Sequence, residues 1–198
     1  MRTRYIAVAC LVLLTAAAHA QLGTWATWDV TAGGNGHEYA LNAVGGSWSW
    51  HRDEANNEGA YLATLKTAAE NTWVTGNVLH STSPHWMGLY QPEGYVGDNI
   101  NLGWEWVDGD PLDYDASGGT WLDWENWASD QPNGYTLIDN GGYAYVHGNG
   151  YWYDWQPGYQ IYGVYERDPA SSDDSPEPAT WLLLAATAAA AGLRRRKR

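Results

Sequence analysis

Gly59-Ala60-Tyr61-Leu62-Ala63-Thr64-Leu65-Lys66-Thr67-Ala68-Ala69-Glu70-Asn71-Thr72-Trp73-Val74 is the stretch on which the fold turns. Its first half, Tyr61 to Leu65, alternates like a strand. Thr67 and Glu70 then stand three apart ahead of apolar residues. That is the spacing of a capping box, in which each side chain satisfies one orphan amide at a helix start. The helix so opened carries Trp73 and Val74 and is expected to end near Gly76. Upstream, Ser47 is placed to cap a helix over 48–55, with Gly59 as its left-handed stop. A first strand is expected around Tyr39-Ala40-Leu41, after the turn signal Gly33-Gly34-Asn35-Gly36. Beyond Pro84 the chain reads as short strands and turns rich in Gly, Asn, Asp and Trp. Helices early and strands late predict an α+β fold.

The composition around this stretch narrows the function classes. The 198 residues include 14 Trp, 14 Tyr and no Phe, and only 17% are charged. Of the ten basic residues, only Arg52, Lys66 and Arg167 lie between positions 21 and 168, against 20 of the 23 acidic ones. A body with a net charge of −17 repels phosphate backbones and attracts cations, which excludes nucleic acid as a partner. Residues 1–20 read as a secretory signal: two arginines, an apolar run, then Ala18-His19-Ala20 as a small-x-small cleavage site. The single cysteine, Cys10, lies inside that run, so the mature protein is expected to be exported and to fold without disulfides. Residues 21–168 are expected to form one domain, followed by a polar linker at 169–175.

Two sets of residues carry family resemblances. At the C-terminus, Pro176-Glu177-Pro178, an apolar stretch over 179–193 and the cluster Arg194-Arg195-Arg196-Lys197-Arg198 closely resemble the PEP-CTERM sorting tail of Gram-negative bacteria. The resemblance implies that residues 176–198 form a short membrane segment, a transient anchor processed by an exosortase. It implies a destination at the cell envelope surface or in the extracellular matrix. The second set is a series of landmarks in order: Gly59 to Leu65, Glu70 to Val74, Trp86-Met87-Gly88-Leu89, and Trp104-Glu105-Trp106-Val107-Asp108-Gly109. It continues with Trp124-Glu125-Asn126-Trp127, Gln131-Pro132-Asn133, Trp152-Tyr153-Asp154 and Tyr162 to Glu166. Over residues 37–167 this order resembles the C-type lectin-like domain. The resemblance implies two helices flanking small antiparallel sheets, with a long irregular loop over about 90–138 that bears the binding surface. Family members usually carry two disulfides, and Tyr165 stands where the terminal cysteine is expected. Aromatic burial, about 150–250 Å² for each Trp or Tyr, is the expected substitute, and Trp73, Trp86, Trp104 and Trp106 are assigned to the core.

In sugar-binding members of that family, a calcium ion on the long loop coordinates two vicinal sugar hydroxyls. A hard cation takes about six to eight oxygen ligands, so sugar oxygens can complete its shell. Carried over by resemblance, Gln131, Asn133, Asp139 and Asp154 become the calcium ligands, with Gln131 and Asn133 flanking a proline that is cis in the family. Tyr135, Tyr153 or Trp155 is expected to stack on a sugar face, and these three stand in the candidate ligand set with Gln131, Asn133, Asp139 and Asp154. Tyr153 replaces the expected Asn, and only Asp139 and Asp154 carry charge, so calcium binding is expected to be weak. The triplet is also a hybrid: the mannose-type pattern has Glu then Asn, the galactose-type Gln then Asp. Read as local structure alone, Gln131-Pro132-Asn133 is a turn that shapes the loop. The carboxylates Asp108, Asp110, Asp113 and Asp115 lack the glycine and glutamate of an EF-hand loop and read as a solvated turn or an auxiliary calcium site.

Catalytic patterns are missing. His37-Glu38 has no second histidine at zinc-protease spacing, and there is no Gly-x-Ser-x-Gly elbow or mature thiol. The expectation is a non-enzymatic binder of glycan or exopolysaccharide. A calcium-independent surface-binding domain and a structural matrix component stand as alternatives.

Overall fold

The computed structural model describes residues 22–79, 83–92, 95, 99–134, 142–156 and 158–169. The chain divides into two units, Met1–Arg167 and Asp168–Arg198. The first holds every described α-helix and strand: β1 (Ala26–Thr27), β2 (Glu38–Gly46), α1 (Trp48–Asn57), β3 (Tyr61–Leu62), α2 (Ala68–Asn77) and β4 (Pro84–Tyr90). Then follow β5 (Glu105–Trp106), β6 (Tyr114–Asp115), β7 (Thr120–Trp121), β8 (Tyr143–His147), β9 (Trp152–Trp155) and β10 (Ile161–Arg167). The main sheet runs β1-β2-β10-β4-β8-β9, with β3 added on β10 and β5 on β4. Among the described strand pairs only β4 and β10 run in parallel. The fold is the expected α+β arrangement of two helices with small sheets. Between β4 and β8, the described residues form only three two-residue strands, β5 to β7.

The helix starts follow their local signals. Ser47 accepts from the Trp50 amide at the head of α1, and Gly59 takes a φ of +66° just past its end. Thr67 accepts from the Glu70 amide, as its half of a capping box requires. Glu70 departs from the motif. Its Oε2 takes the Lys66 amide at 2.9 Å, and its Oε1 takes the Tyr39 hydroxyl at 2.6 Å. The expected strand over 61–65 stops at Leu62 for a related reason. The Thr64 amide donates to the buried Glu166 carboxylate at 2.7 Å instead of to a neighbouring strand. Glu166 also binds His37 Nδ1 at 2.6 Å, so His37 is tied to β10. These two carboxylates join β2, the segment after β3, α2 and β10 in one polar network. Burial, chiefly, raises the Glu70 pKa.

Trp86, Trp104 and Trp106 are buried as expected, whereas Trp73 is half-buried and packs against the core from outside. Tyr165 is fully buried, and its hydroxyl accepts from Asn42 Nδ2 at 2.8 Å. His51 Nε2 lies 2.8 Å from the Ile161 carbonyl, which can only accept. The imidazole therefore carries its proton on Nε2, and Nδ1 accepts from the Tyr165 hydroxyl at 2.9 Å. Gly163 leaves room for this ring, since a Cβ there would lie 2.4 Å from His51 Nδ1.

Burial holds the pKa of His51, and that of the fully buried His85, down at about 4. An unfolded histidine titrates near 6.5, so between these values the unfolded chain binds protons that the native one does not. Stability is therefore complete above about pH 6.5 and falls as pH drops toward 4, by about 3 kcal/mol for each histidine. Glu70, shifted the other way, softens the loss at the acid end. Among the described residues neither His85 nitrogen has a hydrogen-bond partner. We predict that His85→Leu is at least as stable as wild type at pH 7.5 and about 2 kcal/mol more stable at pH 5. Urea unfolding across that range checks this; parallel pH profiles for the two proteins would disprove it.

Candidate ligand-binding loop

The loop between β4 and β8 is built on β9. Trp152 opens that strand, and its ring, fully buried, meets Trp106, Trp124 and Trp127 edge-on, with centroids 5.7, 5.2 and 5.9 Å away. Its Nε1 donates to Asn71 Oδ1 at 2.9 Å, fastening the loop to α2. The Trp152 amide donates to the Asn126 carbonyl, and the Trp152 carbonyl accepts from the Ala128 amide. The chain at 126–128 thus runs beside β9 and delivers residues 131–134 to its end.

Gln131, Asn133 and Asp154 are brought together there. The Gln131–Pro132 peptide bond is cis. Asp154 is 1% exposed, and its Oδ1 and Oδ2 accept from the amides of Asn133 at 2.9 Å and Gly134 at 3.1 Å. In return, the Asp154 amide donates to Gln131 Oε1 at 3.2 Å. The carboxylate thereby clamps the arm after the proline and the Asp154 amide holds the arm before it, and both carboxylate oxygens occupy positions that a cation would otherwise share. The Asn133 side chain is exposed.

Tyr153 and Trp155 lie elsewhere. Residues alternate faces along a strand, and Trp152 and Asp154 point into the core. Tyr153 and Trp155 therefore lie on the opposite face, opposite Tyr145 and Tyr143 of β8. Tyr153 stacks on Tyr145 with centroids 5.3 Å apart and planes 11° from parallel, and Trp155 packs against Tyr159. Tyr135 and Asp139 lie outside the described residues, as do residues 1–20, expected to be a secretory signal, and the apolar stretch over 179–193. Among the described residues no helix is long and apolar enough to cross a membrane.

The four carboxylates upstream serve separate purposes. Asp108 and Asp110 both bind the Lys66 ammonium. Burial opposes the charge on Lys66, but the hydrogen bonds and charges of these two outweigh it and raise its pKa. Asp115 accepts from the hydroxyl and amide of Ser117, which hold its carboxyl below the usual range. Asp113 instead donates its amide to Asp123 Oδ2 at 2.8 Å. Among the described residues no group of three or more His, Cys, Asp or Glu side chains could hold a metal. The arrangement around Lys66 escaped the reading of the sequence, because Lys66 and Asp110 are 44 positions apart.

The family model for the lectin C-type domain matches residues 44–158. The chain belongs to the C-type lectin domain family. A model of the PEP-CTERM protein-sorting motif matches residues 176–197 and marks this lectin-like protein for export and sorting to the cell envelope. No curated protein matches the chain. Among solved structures, the mouse scavenger receptor C-type lectin carbohydrate-recognition domain is similar, with 18% identity and a TM-score of 0.55 over 74% of this chain and 95% of that one. The cow CD23 carbohydrate-recognition domain, crystallised in the presence of GlcNAc2Man3 oligosaccharide, has 21% identity and a TM-score of 0.53, covering 72% and 92%. A calcium-independent type II antifreeze protein has 17% identity and a TM-score of 0.53, covering 74% and 92%. At such identities the likeness speaks for the C-type lectin fold.

Because Asp154 clamps two amides, its charge is also structural. An Asn in its place would turn its own N–H₂ toward one of them. We expect Asp154→Asn to lower the unfolding free energy by about 2 kcal/mol in the presence of EGTA, measured by urea denaturation. An unchanged midpoint would show that the clamp contributes nothing to the fold.

Proposed function

We propose that this exported C-type lectin-like domain is a non-enzymatic carbohydrate-binding protein of the cell envelope surface or extracellular matrix. It binds a glycan or exopolysaccharide with weak calcium dependence, and an exosortase processes its C-terminal tail. The observation that carries this reading is the convergence of Gln131, Asn133 and Asp154 through the Asp154 clamp. Calcium, when bound, would supply a hard cation whose coordination shell sugar hydroxyls can complete. Asn133 then contributes its side-chain oxygen, Gln131 its amide oxygen, and Asp154, with Asp139, the anions. Two carboxylates just balance the ion, and Asp154 is already shared with two amides. Affinity should therefore lie at the weak end of extracellular sites, about 10⁻⁴–10⁻³ M. The hybrid triplet is compatible with either mannose-type or galactose-type sugars. Tyr135 remains the stacking residue of this reading, since Tyr153 and Trp155 face away from Asp154.

A second reading is favoured by the same clamp. Two backbone amides already satisfy the Asp154 carboxylate and hold the turn, so a calcium-independent surface-binding domain needs no ion to preserve its loop. Retention of the domain on mannan and galactan resins decides between them. Release by EGTA, together with calcium calorimetry that is weakened in Asn133→Ala, is the expected result. Unchanged retention in EGTA establishes the second reading, and no retention on either resin removes the first.

A further inference from the structure

A cleft of about 290 Å³ opens beside Lys66, floored by Trp106 and walled by Asp110, Asp113, Asp123 and Trp124. Its size lies just below the usual range of small-ligand sites, about 300–1,000 Å³, and suits a compact ligand. The walls are held by the backbone. The Trp106 amide donates to the Asp110 carbonyl at 2.8 Å, and the Leu122 amide to the Asp113 carbonyl at 2.9 Å. Trp106 is buried and closes the floor, while Trp124, half-buried and set edge-on against Trp152, lines the opening.

The charges in this cleft do not balance. The domain has only three basic residues between positions 21 and 168. Each already faces a carboxylate: Arg52 pairs with Asp53, Arg167 with Glu38, and Lys66 with both Asp108 and Asp110. Asp113 and Asp123, joined by the Asp113 amide, carry two further negative charges on the same wall. Lys66 shows what the carboxylates here accept, since its ammonium already sits between Asp110 of the wall and the neighbouring Asp108. A metal ion is a poor complement, because no group of three or more acidic, His or Cys side chains converges among the described residues and indole rings offer a hard cation no ligand. An organic ammonium uses both kinds of wall. Its charge meets the carboxylates, while aromatic faces attract cations and pack against apolar C–H surface.

We propose that this cleft binds a protonated primary amine carried on a compact ring, specifically a hexosamine with a free amino group. The inference goes beyond the calcium-loop reading and uses different residues: the amine faces Asp113 and Asp123, and the sugar body lies on Trp124. The probes are glucosamine, N-acetylglucosamine and glucose, titrated in EGTA by tryptophan fluorescence and calorimetry. Glucosamine should bind at least about tenfold more tightly than the other two. That preference should survive in Asn133→Ala, which tests the calcium loop, and disappear in the double variant Asp113→Asn, Asp123→Asn. Equal affinity for glucosamine and its acetylated form overturns the proposal, as does a preference that persists in a folded double variant. Salt gives a test that needs no variant. Near 1 M ionic strength, where the screening length shrinks to about 3 Å, the wild-type preference should collapse, and its persistence overturns the proposal. Loss of mannan or galactan binding in Asn133→Ala with glucosamine selectivity intact concerns the loop alone.

Discussion

The Trp152 indole is the contact on which the long loop depends. This family's domain must fix a stretch of chain with little regular structure, and here the only cysteine of the chain, Cys10, precedes the domain. Trp152 takes over much of that task. Three other indoles meet it edge-on, its N–H reaches α2 through Asn71, and its backbone holds residues 126 and 128. Edge-to-face aromatic contacts contribute about 0.5–1.5 kcal/mol each beyond area burial, so the set is comparable with a cross-link worth about 2–4 kcal/mol. Asn71 extends the tie, since its Nδ2 donates to the Gly150 carbonyl in the turn between β8 and β9.

The other half of the domain replaces a covalent staple with polar contacts. Tyr165, Asn42 and His51 form a buried chain of hydrogen bonds where β10 meets β2 and α1. Glu166, the next residue, turns to the opposite face and joins His37 and Thr64. Because these groups are buried, their partners are obligatory: an unmade hydrogen bond in this setting costs more than a made one contributes. The same burial that fastens the strand also suppresses the charge of His51, so the staple and the acid sensitivity of the fold have a single cause.

Much of this was legible residue by residue. Ser47 and Thr67 cap the two helices, Gly59 ends the first, and Gln131-Pro132-Asn133 forms a turn beside Asp154, because each depends on neighbours within a few positions or on a motif that stays together. The strand over 61–65 was misjudged in length because Glu166, about a hundred positions away, competes for the Thr64 amide. Glu70 left its place in the capping box because Tyr39 and the Lys66 amide surround its carboxylate in the folded chain. Tyr153 and Trp155 illustrate the same limit at the site. Neighbours of Asp154 in sequence, they face away from it because strand alternation sends adjacent side chains to opposite sides of the sheet.

The sequence by itself determined the helix caps, the turn chemistry, the aromatic supply of the core and the family to which the domain belongs. These are local or ordered signals that survive without knowledge of distant neighbours. Only the tertiary structure decided which carboxylates are used internally and which remain at the surface. Asp154 became a clamp, Asp108 and Asp110 became partners of Lys66, and Asp113 and Asp123 kept their charge beside an open cleft. A carboxylate looks the same in every sequence, and its role is set by which donors and cations the fold brings within a few ångströms.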